Sequence, residues 1–137
     1  MDILIADDNP VFRDVLAAML RQWGYEVLVA GDGETAWRLL QAADAPRLVI
    51  LDWMMPGLDG LEVCRRVRGI GRSAYIVILT SKTDPADVAE MRAAGADHYL
   101  AKPLRSAELR RRLLDGFLHA ADDDRVLPGE RHDEPTS

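Results

Sequence analysis

The side chains able to do chemistry in this sequence stand where short apolar runs stop. Ile3-Leu4-Ile5-Ala6 stops at Asp7-Asp8, Leu48-Val49-Ile50-Leu51 at Asp52, Ile76-Val77-Ile78-Leu79 at Thr80, and His98-Tyr99-Leu100-Ala101 at Lys102. Three carboxylates brought together repel one another unless a hard cation sits among their oxygens. Few protein ligands and an open side favour magnesium with waters over a dedicated calcium cage. An aspartate, a hydroxyl and an ammonium around such an ion describe a phosphoryl-transfer site. Asp52 would attack phosphorus, magnesium and Lys102 would neutralise developing charge, and Thr80 would bond a phosphoryl oxygen. Each residue also has a plainer role: Asp52 as a turn cap, Thr80 as a turn residue, Lys102 as a solvated surface lysine. Asp7-Asp8 would equally suit the acidic start of a helix, where the dipole favours negative charge. The phosphoryl-transfer reading rests on all of them falling on one rim.

That rim needs a parallel sheet. Apolar runs without alternation read as strands buried on both faces. A further run, Tyr25 to Ala30, supplies one more strand, and helical patterns fill the intervals. Asn9-Pro10 opens the first helix as N-cap and first-turn proline; Val11, Val15, Leu16, Met19 and Leu20 recur at helical spacing and Gly24 stops it. Asp32-Gly33 leads into a second helix carried by Ala36, Trp37, Leu39 and Leu40, ending near Ala45-Pro46. Asp59 caps a third helix through Arg68, with Glu62 completing a capping box. Asp84-Pro85 starts the fourth, and Ala93-Ala94-Gly95-Ala96 ends it. Ser106 caps a fifth, with Leu109, Leu113, Leu114 and Phe117 facing inward. Five such units with right-handed crossovers predict a flavodoxin-like doubly wound α/β fold, (βα)5, with parallel strands in the order 2-1-3-4-5. That order sets the first and third strands side by side at the switch point, with Asp7, Asp8 and Asp52 at their carboxyl ends.

Length and composition fit this. One domain accounts for 137 residues, 48% of them hydrophobic and 29% charged. The expected domain spans residues 1–120, and residues 121–137, beginning Ala121-Asp122-Asp123-Asp124, form a flexible polar tail too poor in apolar surface to order itself. A net charge of −6 argues against a direct nucleic-acid surface. No apolar run approaches the ~20 residues that span a bilayer, and Met1-Asp2-Ile3-Leu4 lacks a basic signal-peptide start, so the expected location is the cytoplasm. The single cysteine, Cys64, lies on an apolar helical face and reads as a small core residue.

Asp7-Asp8, Asp52 before Met54-Met55-Pro56-Gly57 and Asp59-Gly60, Thr80, and Lys102-Pro103 together resemble the receiver domain of bacterial two-component response regulators over about residues 2–118. The resemblance implies that Asp52 takes a phosphoryl group from a phosphohistidine on a sensor histidine kinase or histidine phosphotransfer protein. It implies that Asp8, Asp52 and the backbone carbonyl of Met54 bind magnesium directly, with Asp7 acting through water. It makes Lys102 and Thr80 the phosphoryl contacts, and Lys102-Pro103 a cis peptide. Thr80 and Tyr99 would form a switch pair that reports to a downstream protein through the fourth helix, fifth strand and fifth helix. On that face Arg105, Arg110, Arg111 and Arg112 are either solvated or assist a homodimer; the sequence leaves both open.

Two departures stand out. Met54 follows Asp52 by two residues where family members often carry a polar side chain, and Lys82 follows Thr80 by two. In the family these positions tune dephosphorylation, and Met54 has no group to orient water. The second departure is that the residues after Leu118 are too few for an output module, so the reading is a stand-alone receiver. The alternative is a receiver cut from a longer regulator. An aspartate-nucleophile phosphatase resembling haloacid dehalogenases is a further alternative, but it wants a second aspartate where Met54 stands.

Overall fold

The computed structural model describes residues 1–125. Ten elements alternate along the chain: β1 (Asp2–Ala6), α1 (Pro10–Gln22), β2 (Glu26–Ala30), α2 (Gly33–Leu40), β3 (Leu48–Asp52), α3 (Gly60–Gly69), β4 (Tyr75–Thr80), α4 (Pro85–Ala94), β5 (His98–Ala101) and α5 (Ser106–Arg125). The strands form one sheet in the order β2-β1-β3-β4-β5, every neighbouring pair parallel. This is the flavodoxin-like doubly wound arrangement, with the reversal of winding between β1 and β3.

Side-chain alternation along the strands divides the core into two layers. Leu4, Val49, Leu51, Ile76 and Ile78 point to one face, where Leu40, Val63, Cys64, Val67 and Met91 cover them from α2, α3 and α4. Ile3, Ile5, Ile50, Val77 and Leu79 point to the other, under Leu16, Ala17, Leu20, Leu109 and Leu113 of α1 and α5. Every residue of β3 and β4 is buried, as central strands with helices on both faces require. Each fully buried Leu or Ile contributes about 1.5–3 kcal/mol through water exclusion. This rigid centre holds the strand ends level: Ala6 pairs with Leu51, Asp52 with Leu79, and Thr80 with Ala101.

Helix starts follow the cap chemistry. The Asn9 side chain accepts from the Val11 and Phe12 amides, Asp32 from Thr35 and Asp59 from Glu62. At the amino edge of the sheet, Arg68 donates to the carbonyls of Ala74 and Gly95 and pairs with Asp97 at 2.9 Å. The same Asp97 oxygen accepts from the Ile76 amide at 2.8 Å. This clamp joins the end of α3 to the starts of β4 and β5.

Five local expectations need correction. Val11 and Val15 are 73% and 62% exposed, because Leu16, Ala17 and Leu20 form the inward stripe of α1. Leu114 is 56% exposed, whereas Leu109 and Leu113 are buried as expected; Phe117 lies outside the described residues. Helix α2 stops at Leu40, well short of Ala45, and Arg72 donates to the Gln41, Ala42 and Ala43 carbonyls just beyond it. Glu62 does not close the capping box: its carboxylate pairs with Arg65 and Arg66, each at 3.3 Å. Ser106 is the first residue of α5 rather than its cap, and that helix continues to Arg125, past the end of its apolar pattern. Residues 126–137 of the expected tail lie outside the described residues.

Candidate functional site

The carboxyl edge of β1, β3, β4 and β5 gathers all the strand-end residues singled out above. One carboxylate oxygen from each of Asp7, Asp8 and Asp52 lies within 4.8 Å of the others. Asp7 and Asp52 are buried, at 1% and 5% exposure, while Asp8 faces outward. Local backbone geometry makes the cradle. Asp7 Oδ1 accepts from the Asn9 amide at 2.9 Å, turning the chain from β1 into α1, and the Arg13 guanidinium donates to the Asp7 carbonyl at 3.1 Å.

After Asp52 the chain is pinned on both sides. The Trp53 amide donates to the Leu79 carbonyl at 3.0 Å, and the Trp53 carbonyl accepts from Gly60 at 2.9 Å. A side chain at Gly60 would run into the Asp52 carbonyl, so the return of the loop requires glycine there. Gly57 takes φ +73° at the turn of the same loop. The side chain of Met54 is 60% exposed at the mouth.

Lys102 crosses to this cluster from the end of β5. Its Nζ donates to Asp52 Oδ1 at 3.0 Å and lies 3.9 Å from Asp7 Oδ2. The Phe12 ring, one helical turn beyond Asp8, stands 5.4 Å from the same ammonium. The Lys102-Pro103 peptide is cis. Thr80, 2% exposed, accepts the Lys82 amide on its hydroxyl at 2.8 Å, and its carbonyl accepts the Lys102 amide at 2.9 Å. Because a hydroxyl has one donor and two acceptor lone pairs, that bond leaves its proton available to another oxygen. Tyr99 is half-buried on β5 opposite Ile78, packed against the α2–α3–α4 layer, and lines a cavity with Val88, Met91 and Ala96.

Electrostatics perturb the Asp52 carboxyl. Burial pushes its pKa above the usual carboxylate value; the Lys102 bond pulls it down, and the charges of Asp7 and Asp8 push it up. A cation among the carboxylates would reverse the burial and repulsion contributions. One observation speaks directly to a cation: Asp7 Oδ2 is buried without a hydrogen-bond partner. A buried acceptor left so costs about 1–3 kcal/mol. Hard oxygen donors, an orphaned carboxylate oxygen and a site open on the Asp8 side fit magnesium.

Phe12, Arg13 and the placement of Lys82 were missed by sequence reasoning. Phe12 lies in the first turn of α1, just after the Asp7-Asp8 pair, and that closeness in sequence could have flagged it. The Lys82 ammonium sits 4.4 Å from the centroid of the Trp53 ring, a long-range contact with no sequence signal.

With this fold and rim in place, the chain belongs to the response regulator receiver domain family, whose model matches residues 3–114. It is a receiver domain of two-component signalling. Among its relatives, the "DNA-binding response regulator MtrA" of Mycolicibacterium smegmatis is 41% identical over 107 residues, covering 78% of this chain and 46% of that one. The "Response regulator MprA" of Mycolicibacterium vanbaalenii is 43% identical over 111 residues, covering 81% and 48%. The chain thus spans about half the length of the curated relatives it matches. A similar solved structure is the receiver domain of the sensor histidine kinase PA1611 from Pseudomonas aeruginosa, described with a magnesium ion coordinated in its active-site cleft. It is 37% identical, with a TM-score of 0.76, covering 84% of this chain and 95% of that one. No described helix is long and apolar enough to cross a membrane.

Proposed function

We propose that Asp52 is the phosphoacceptor, taking a phosphoryl group from a phosphohistidine on a sensor kinase or histidine phosphotransfer protein. The observation carrying this reading is the meeting of Asp7, Asp8 and Asp52 beside Lys102, with one buried Asp7 oxygen lacking a hydrogen-bond partner. An Asp52 oxygen forms the new bond to phosphorus, and the histidine nitrogen leaves with the electron pair of the old one. Asp7, Asp8, Asp52 and the Met54 carbonyl are the groups that would hold magnesium. Bound there, it would supply positive charge against the negative charge of the phosphoryl group. Lys102 exchanges its bond to Asp52 for one to a phosphoryl oxygen, supplying positive charge as negative charge develops. Thr80 turns its hydroxyl proton to another phosphoryl oxygen while it keeps the Lys82 amide. Tyr99 then follows Thr80 as the second member of a switch pair, which biases the α4–β5–α5 face between two arrangements. A downstream protein, or a second copy of the chain, reads that face.

The receiver unit comprises residues 1–120, with 121–137 a charged extension. Relatives of about twice this length, one of them named as DNA-binding, favour a second reading in which such a receiver governs an output module acting on DNA. The mass of the native protein in its host separates the two readings. The acceptor itself is tested by incubating the protein with acetyl phosphate and magnesium and mapping the acid-stable, base-labile adduct by mass spectrometry. Modification at Asp52 is expected; an adduct elsewhere overturns the assignment.

A further inference from the structure

Asp7 is held by its main chain as well as by its carboxylate. Its amide donates to the Ala30 carbonyl at 3.1 Å, its Oδ1 accepts from the Asn9 amide at 2.9 Å, and its carbonyl accepts from a guanidinium nitrogen of Arg13 at 3.1 Å. The first two bonds belong to the sheet edge and the turn into α1. The third is of another kind. Arg13 lies on α1, and its side chain turns back to the end of β1 instead of extending into water. Its Nε is buried there with no hydrogen-bond partner, a cost that an extended side chain would avoid. Gly31, in the turn between β2 and α2, makes the room. A β-carbon at that position would stand 3.0 Å from the same guanidinium nitrogen that holds the Asp7 carbonyl. The φ of Gly31 is not positive, so space rather than torsion favours glycine there.

One planar peptide joins Asp7 to Asp8. The Asp7 amide is already tied to the end of β2, so a hold on the Asp7 carbonyl fixes the plane of that peptide. The plane in turn sets the direction in which the exposed Asp8 leaves the chain. We infer that Arg13 is a positioning residue for the metal site: seated against Gly31, it holds the Asp7 carbonyl and so aims the Asp7 and Asp8 carboxylates at one ion. The inference rests on magnesium being held by the acidic cluster, as proposed above. Charge alone would act with the opposite sign. A guanidinium beside a cation site repels the cation, so an Arg13 acting only through its charge would weaken magnesium binding, and its removal would tighten it.

The test is calorimetry of magnesium binding, with unfolding in metal-free buffer measured alongside. Arg13→Ala is expected to weaken magnesium binding by about tenfold, the low end for groups that orient metal ligands. Gly31→Val keeps Arg13 in the chain but takes the space of its guanidinium, and weakens binding by about as much. The double substitution goes no further than either alone. Arg13→Lys, which keeps a donor near the Asp7 carbonyl, binds within about threefold of the unsubstituted protein. A purely structural Arg13 would lower metal-free stability and leave the affinity unchanged. Unchanged affinity in Arg13→Ala or in Gly31→Val overturns the inference, as do tighter binding in Arg13→Ala and factors that multiply in the double variant. If Arg13→Ala fails to fold, Gly31→Val and Arg13→Lys decide. Absence of magnesium binding in the unsubstituted protein is a different result: it overturns the metal reading itself, and this inference falls with it.

Discussion

Lys102 Nζ donates to Asp52 Oδ1 at 3.0 Å, joining the ends of two strands that are not neighbours in the sheet. The side chain passes the end of β4 to reach β3, so the ammonium arrives over the acceptor with the Phe12 ring beside it. This pairing opposes the burial and repulsion that raise the Asp52 pKa. It favours the ionised carboxyl, the state a nucleophile needs.

Asp52→Asn keeps the shape of the side chain and removes the nucleophile. Acetyl phosphate with magnesium is expected to label the unsubstituted protein once and this variant not at all, while circular dichroism shows the fold retained. Full labelling of the variant would move the acceptor elsewhere.

Asp8→Asn removes one exposed charge from a cluster that repels itself. Magnesium binding, read by calorimetry, is expected to vanish. Without metal the variant unfolds at the same or higher denaturant concentration, a change within about 1 kcal/mol. A large loss of stability in metal-free buffer would make Asp8 a structural residue of the turn into α1.

Trp53 reports on the loop that the metal organises. Its fluorescence is expected to change on magnesium addition and again on phosphorylation. Trp23 and Trp37, under Arg110 and Arg66, give a constant background. Trp53→Phe silences the magnesium response without preventing labelling of Asp52. A response that survives in Trp53→Phe would place the metal's effect outside this loop.

Alkaline pH probes the core. Burial pushes the Cys64 thiol from 9.0 up to about 11. Its folded-state pKa is raised, so its contribution is fully present below about pH 9 and fades as pH climbs toward 11. Two units correspond to a loss of about 3 kcal/mol. Urea titrations across this window are expected to show stability falling more steeply for the unsubstituted protein than for Cys64→Ala. At pH 8 a thiol reagent labels Cys64 only in denaturant; rapid labelling of the native protein would contradict its burial.

The legible parts of this molecule were those written locally. Asn9-Pro10 and Asp84-Pro85 mark helix starts because a cap and a fixed φ act within one turn. Unbroken apolar runs ending in polar residues announce central parallel strands, and with them the level rim carrying Asp7, Asp52, Thr80 and Lys102. What escaped was written at long range or had two local solutions. On α1 the spacing admits a stripe through Val11 and Val15 or one through Leu16, Ala17 and Leu20; the angle of the helix on the sheet selects the second. Arg72 reaches the carbonyls after α2 across about thirty residues, and nothing near Leu40 announces it. Glu62 had three partners within reach, and two arginines outcompeted one amide.

The Arg68–Asp97 clamp stands at the opposite end of the sheet from the acidic rim. It shares no residue with that rim, so the sheet is fastened and the phosphoryl group is held by separate side chains. Arg68→Ala is therefore expected to lower the melting temperature by several degrees, from a loss of about 1–3 kcal/mol as the partners of its hydrogen bonds are left unmet. Labelling of Asp52 at temperatures where the variant is folded is expected to proceed at the unsubstituted rate. A labelling defect under those conditions would show the two ends of the sheet to be mechanically linked, making the clamp part of the signal path.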